Sequence, residues 1–361
     1  MDSRSLTRPD LEALPTYIPG RTVPGAIKLA SNEVPFGPLP GVIEALTEAA
    51  AGVHRYPDMG VVALRDKIAA RVGVSPERVV TGCGSVALAE HLARTACLPG
   101  NSIVYSWRSF EAYPIIAATT GADSIKVPNT VGHEHDLKAM AAAISPGTRL
   151  VLVCNPNNPT GTSISRSALD EFLSGVPGDV LVVLDEAYRE FVTDPEVTDG
   201  LEAYGDRPNV VVLRTLSKAW GLAGLRIGYL VAQPAVADAV RKVVTPFSTN
   251  AAAQAAAIAA LDQETEMRRR CDIIIAERQR VHATLIKWLP EVPRSQANFV
   301  WLPLRERALE FAQACEAHNV IVRAFAGDGV RVTIGTPDEN DAFLAAAEKY
   351  LGPEADLSHG H

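Results

Sequence analysis

The chain runs to 361 residues, more than one ordinary hydrophobic core accommodates, so two domains are expected. Hydrophobic residues make up 47% and charged residues 21%, the balance of a globular protein and not of a disordered one. A net charge of −8 gives no electrostatic pull toward nucleic acid or an anionic membrane, so neither is expected as a partner. The first ten residues, MDSRSLTRPD, hold no apolar stretch of the kind that makes a signal peptide. The Ala-rich segment Ala251 to Ala260 is interrupted by Gln254, soon followed by Asp262, and is too short and weakly apolar to span a bilayer. Cys83, Cys97, Cys154, Cys271 and Cys315 are scattered without a C-x-x-C pair, which reads as reduced thiols in a cytoplasmic protein.

Residues 1–30 are rich in proline and glycine and read as an extended arm, with Tyr17 inside Leu14-Pro15-Thr16-Tyr17-Ile18-Pro19-Gly20. Asn32 follows, just before a proline-rich loop, where a turn asparagine is the plain reading. Apolar residues at helical spacing return over Val42–Ala51, and a second helix is expected from about Val61 to Val72, with Arg55-Tyr56-Pro57-Asp58 between them. Seven short apolar runs come next: Arg78–Val80, Ser102–Tyr105, Ser124–Val127, Leu150–Cys154, Val180–Leu184, Asn209–Leu213 and Ile227–Ala232. Helical patterns separate most of them, so the fold class is α/β, with a mostly parallel seven-stranded sheet covered on both faces. In such sheets ligands sit beyond the carboxyl ends of the strands.

The residues found at those ends have chemistry in common. After the first run, Gly84, Ser85 and Val86 open a helix whose backbone N–H groups can cradle an anion, although an ordinary turn has the same composition. After the second, Trp107, Phe110 and Tyr113 offer aromatic faces to a flat ring, or alternatively to the core. After the fourth, Asn158-Pro159-Thr160-Gly161 ends the strand in a rigid turn. The fifth ends in Asp185, with Tyr188 three residues on. A carboxylate there is costly unless it meets a cation such as a protonated pyridine nitrogen, and otherwise it reads as a helix cap. The sixth leads to Thr215, Ser217, Lys218 and Arg226 among Gly221, Gly224 and Gly228. Lys218 is poorly solvated there and suited to an imine with a carbonyl compound. Thr215, Ser217 and Arg226 are the donors a phosphate monoester needs. A carbonyl cofactor carrying a phosphate is implied, and pyridoxal 5′-phosphate fits. Alternatively, the lysine is a surface residue after a strand.

Beyond residue 250 a long, highly charged helical pattern contains Glu264, Glu266, Arg268–Arg270, Glu277, Arg278 and Arg280, and reads as a solvated face. Strands are expected at Gln296–Trp301, Val320–Arg323 and Val330–Gly335, then a helix near Asp338–Leu351, making a smaller α/β domain. Arg331 alternates with apolar neighbours, so it points away from them. A rim arginine on an edge strand would look the same. His133, His135, His359 and His361 lack further ligands at suitable spacing, so no metal is expected.

The string Thr215 to Tyr229, with Asn158-Pro159-Thr160-Gly161, Asp185-Glu186-Ala187-Tyr188 and the Lys28–Glu33 segment, resembles fold-type I pyridoxal-phosphate aminotransferases of the histidinol-phosphate branch. The resemblance covers nearly the whole chain and implies an aspartate aminotransferase-like large domain at 34–249 and a small domain at 250–352. An arm at 1–33 would pack with the small domain and the partner subunit, and 353–361 would be a disordered tail. It implies that Lys218 carries the cofactor and moves the proton, with Asp185 at the ring nitrogen and Asn158 and Tyr188 at the phenolic oxygen. Phe110 would stack on the ring. Gly84, Ser85, Val86, Thr215, Ser217 and Arg226 would hold the phosphate, joined by Tyr56 of the neighbouring subunit in a homodimer with shared sites. Arg331 would pair with the substrate carboxylate, with Asn32, Tyr17 and Arg323 near the substrate. The Arg108–Tyr113 segment, Trp107 and Asn298–Leu304 are most similar to the aromatic amino acid (phenylalanine) aminotransferases of this branch. Transamination of phenylalanine or tyrosine with 2-oxoglutarate is therefore implied, with histidinol phosphate as the alternative substrate. A lyase or decarboxylase on the same cofactor is a further alternative. A ligand-sensing module fused to a DNA-binding domain is not expected, since no basic segment precedes residue 30.

Overall fold

The computed structural model describes residues 6–8, 12, 14 and 20–353. Tyr17 and most of the proposed tail lie outside the described residues. Strand β1 spans Ile27–Leu29, and seven strands follow: β2 Val79–Gly82, β3 Ser102–Trp107, β4 Asp123–Pro128, β5 Thr148–Cys154, β6 Leu181–Asp185, β7 Val210–Thr215 and β8 Gly228–Val231. These seven form one sheet in the order β2-β8-β7-β6-β5-β3-β4. Strand β8 is antiparallel to both of its neighbours, and the other pairings are parallel.

Each central strand divides its side chains between two cores, as a period of two requires. Leu150, Leu152, Val183, Val211 and Leu213 pack with Leu88, Leu92, Tyr113 and Val240 on one face. Val151, Val153, Val182, Leu184, Val210 and Val212 pack with Leu169, Phe172 and Leu173 on the other. Continuous apolar runs thus fill both faces, and only the strand ends are free to carry polar chemistry.

A second sheet has the order β1-β10-β11-β9, with β9 at Phe299–Leu302, β10 at Val320–Phe325 and β11 at Gly329–Thr333. Part of the segment read as an extended arm is therefore a paired strand: β1 runs parallel to β10, Lys28 opposite Ile321. Three residues are too few to display a period, and their partner lies almost the whole chain away.

The charged segment forms one helix, Glu264–Leu285. Its buried positions are Met267, Cys271, Ile274, Arg278, Val281 and Leu285, alternately four and three residues apart, which puts them on one stripe. Arg278 is thus not on the solvated face to which its charge assigned it. Its Nη1 donates to Phe191 O at 2.9 Å and Ala297 O at 2.8 Å, and burial alone pulls its pKa down to about 10. The last helix, Pro337–Leu351, begins with a capping box between Thr336 and Glu339.

Candidate active site

Strands β5, β6 and β7 are parallel neighbours, with Cys154 level with Asp185 and Asp185 level with Leu213, so their carboxyl ends present Asn158, Asp185 and Lys218 to one space. Asp185 is buried. Its Oδ2 accepts from Tyr113 Oη at 2.9 Å, whereas Oδ1 is buried without a hydrogen-bond partner. Burial lifts its pKa to about 6, against the lowering effect of the Tyr113 hydrogen bond. A buried oxygen with no donor is costly, and a protonated ring nitrogen supplies both the donor and the counter-charge. The residues present therefore fit a pyridine cofactor at this position.

Lys218 lies past the end of β7, and its Nζ donates to Ser31 O at 3.1 Å. Burial first, then the charges of Arg331 and Arg226, bring its pKa down to about 7, outweighing nearby Glu33. At neutral pH a large fraction of this amine is unprotonated and able to act as nucleophile or base.

An anion cradle lies beside it. Gly84 begins the helix Gly84–Ala96 with φ 82°, and a Cβ there would run into the Arg226 guanidinium. A Cβ on Gly228 would lie 2.6 Å from Ser85 N. Two glycines therefore let Arg226 and the helix N-terminus close on the same point. Arg226 Nη1 donates to Ser217 Oγ at 3.3 Å, and Ser217 N donates to Thr215 Oγ1 at 3.1 Å. A guanidinium, two hydroxyls and the first turn at Gly84, Ser85 and Val86 make a set that suits a phosphate.

On the other side stands the second sheet. Arg331 is buried on β11 while its neighbours Val330 and Val332 point into the core, as the alternation requires. Its Nη1 donates to Asn158 Oδ1 at 2.6 Å and its Nη2 to Ala30 O at 2.8 Å. Asn32 Nδ2 donates to Tyr188 Oη at 2.9 Å, while Asn32 Oδ1 accepts from Thr333 Oγ1 at 3.1 Å. Tyr188 also meets Phe299 edge-on at 5.1 Å. Asn32 is thus a brace that aims the Tyr188 hydroxyl.

The chain matches the family described as aminotransferase class I and II over residues 24–346. It belongs to this aminotransferase family. The aromatic amino acid aminotransferase of Streptomyces avermitilis is 52% identical over 347 residues, covering 95% of this chain and 97% of that protein. That of Rhodococcus jostii is 54% identical over 341 residues, covering 94% and 95%. Among solved structures, the histidinol-phosphate aminotransferase of Sinorhizobium meliloti in complex with pyridoxal-5′-phosphate superposes with a TM-score of 0.84. It is 28% identical and covered over 99% of both chains.

The remaining candidates in this aminotransferase fall into three places. Phe110 is half-buried with its ring edge-on to Tyr113 at 5.6 Å. For Tyr113 the core is the reading that holds. The side chain is fully buried and spends its hydroxyl on Asp185. Tyr56 is 82% exposed and stacks on Phe247 at 4.6 Å, on the outside of this chain. Arg323 pairs with Glu111 at 2.9 Å. The turn carrying Phe110 rests on residues whose chemistry gave no signal by itself: Asn157 Nδ2 and Asn129 Nδ2 both donate to Arg108 O, at 3.0 and 2.8 Å, and Ser109 Oγ donates to Asn157 Oδ1 at 2.7 Å. A cavity of about 1380 Å³ opens elsewhere, against Arg278, His135 and Ser295, and none of Lys218, Asp185, Asn158 and Arg331 lines it.

Proposed function

We propose that this aminotransferase exchanges amino groups between aromatic amino acids, phenylalanine and tyrosine, and 2-oxoglutarate, using pyridoxal 5′-phosphate. The observation that carries the substrate class is the wall facing Arg331. Phe325 lies 5.8 Å from the Arg331 guanidinium and meets Trp301 edge-on, Arg108 joins Phe325 to Trp107, and the two other arginines, Arg108 and Arg323, are each already paired with a carboxylate. An aromatic side chain finds apolar contacts there, while the phosphate of histidinol phosphate, which stands in place of the α-carboxylate at Arg331, finds no second uncompensated guanidinium in that pair. The names of the Streptomyces and Rhodococcus relatives support the same reading.

Bound pyridoxal phosphate supplies a conjugated electron sink for the bond electrons of the substrate's α-carbon. In this reading Thr215, Ser217, Arg226 and the turn Gly84, Ser85 and Val86 hold its phosphate, and Phe110 faces its ring. Asp185 keeps a proton on the ring nitrogen, and Asn158 and Tyr188 direct hydrogen-bonding groups at its phenolic oxygen. Arg331 binds the α-carboxylate common to donor and acceptor substrates. Lys218 Nζ, a large fraction of it neutral near pH 7, would take the proton from the substrate α-carbon and deliver it to the cofactor's C4′. The second sheet carries Arg331 to Asn158.

The proposal includes a cytoplasmic homodimer in which Tyr56 serves the partner's cradle. The exposed Tyr56–Phe247 pair and five free thiols support it, and no helix among the described residues is long and apolar enough to cross a membrane. It also takes residues 34–249 as the cofactor domain and 250–352 as the small domain, with β1 adding the arm to the latter's sheet.

The test is a substrate panel with 2-oxoglutarate as acceptor. The kcat/KM for phenylalanine should exceed that for histidinol phosphate by about tenfold or more. The reverse order would assign the enzyme to histidinol phosphate, the substrate named for the Sinorhizobium structure.

A further inference from the structure

Three arginines surround one aromatic ring at the outer end of the site. The guanidinium carbons of Arg323, Arg108 and Arg331 lie 5.0, 5.4 and 5.8 Å from the centre of the Phe325 ring. Arg323 and Arg331 are directly opposite each other across β10 and β11, and Trp301 on β9 is directly opposite Arg331, so the three side chains share one face. Like charges in that relation repel, and this chain answers with two carboxylates. Glu111 accepts from Arg323 Nη2 with both oxygens, at 3.2 and 2.9 Å. Asp328 Oδ2 accepts from Arg108 Nε at 2.8 Å and also from Arg108 Nη2.

The two pairs are crossed. Arg108 and Glu111 follow β3 of the large sheet, and Arg323 and Asp328 belong to the β10–β11 hairpin of the small one. Each side of the cleft contributes one cation and one anion. The four side chains are between 14% and 37% exposed, so their charges are only partly screened by solvent. Arg108 is also fixed over Trp107 at 4.4 Å. With the carboxylates in place the formal charge of this quartet is zero. Without them, two guanidiniums would stand uncompensated about Phe325, which is the arrangement that receives a phosphate.

We propose that Glu111 and Asp328 are specificity residues that mask a latent phosphate site, closing this aminotransferase to phosphorylated substrates by occupying Arg323 and Arg108 from across the cleft. The inference rests on the aromatic reading above. It adds the way the phosphorylated competitor is refused: by internal carboxylates already holding the cations, and not by a lack of cations. Histidinol phosphate carries its dianion where an amino acid has the α-carboxylate, at Arg331, so it gains the neighbouring guanidiniums only by displacing charge-assisted pairs, whereas a carboxylate needs Arg331 alone and an uncharged phenyl or phenol ring leaves both pairs intact.

The test uses the holoenzyme and the variants Glu111→Gln, Asp328→Asn and the double variant, all close in size to the native side chains. The quantity read is the kcat/KM for histidinol phosphate divided by that for phenylalanine. The double variant should raise this ratio about tenfold or more over wild type, and the gain should shrink with added salt. A clamp that merely holds the two sheets together would lower both constants and leave the ratio in place. A ratio that moves by less than about threefold in the double variant overturns the proposal. Should Asp328→Asn disturb the hairpin, Glu111→Gln alone must raise the ratio by about threefold, and its failure to do so is equally decisive. The wild-type ratio judges the aromatic reading, and the change from wild type to variant judges this one, so each can fail alone.

Discussion

Lys218 shows how far a residue's chemistry is set by its surroundings. In an unfolded chain its amine has the ordinary value of 10.5, and in the folded, cofactor-free protein the value drops to about 7, because burial and Arg331 both penalise the charge. Below the folded value both states hold the proton, and folding bears the cost of a buried ammonium. Between the two values only the unfolded chain is protonated, so stability rises with pH. Above the unfolded value the cost is gone. In cofactor-free protein Lys218→Met should therefore stabilise the fold by roughly 2–5 kcal/mol near pH 6, and the gain should vanish by about pH 10. Urea unfolding of both proteins at the two pH values measures this, and a difference that does not change with pH would refute it. Asp185 shows the same dependence with the opposite outcome: burial raises its pKa to about 6, Tyr113 occupies one oxygen, and the second is buried without a hydrogen-bond partner.

Among the elements, the helix Glu264–Leu285 makes the clearest distinction between charge that is solvated and charge that builds structure. Arg280 is 41% exposed and pairs with Glu277 and Asp341 at the surface. Two residues earlier, Arg278 turns inward and ties the helix to Phe191 O after β6 and to Ala297 O before β9. Arg278→Leu leaves two carbonyl oxygens without this donor and should cost about 2–5 kcal/mol, lowering Tm accordingly. Arg280→Leu removes the pairs of a half-exposed guanidinium and leaves Glu277 its Asn340 hydrogen bond, and should cost about 1 kcal/mol or less. Thermal unfolding of the two variants side by side checks the contrast, and equal losses would mean that Arg278 carries no special role.

At the scale of the whole molecule, the proposed site is incomplete within one chain if Tyr56 serves a neighbour. Its 82% exposure and its stacking on Phe247 leave it on the outside of this chain. Tyr56→Ala and Lys218→Ala chains should each be nearly inactive alone. If the sites are shared, a mixed dimer has one doubly damaged site and one intact site, so equal mixing with subunit exchange should restore about a quarter of wild-type activity. Activity assayed before and after exchange measures this. Exchange confirmed by mass, without any recovery, would place Tyr56 in its own chain's site or in none.

The residue order alone determined the seven-stranded sheet, because buried strands and their covering helices show their periods locally, over a few residues each. It also pointed to Asn158, Asp185 and Lys218 as one group, since polar residues just beyond the ends of neighbouring parallel strands are brought to one edge of the sheet. Tertiary structure alone decided what each of these groups touches. Tyr113 reaches Asp185 across 72 positions, Glu111 reaches Arg323 across 212, and Arg108 reaches Asp328 across 220. It also turned Arg278 inward and drew Ile27–Leu29 into the second sheet. No periodicity encodes such pairs. A side chain's partner across the cleft depends on how the two sheets come together, and that placement is fixed by packing of the whole chain.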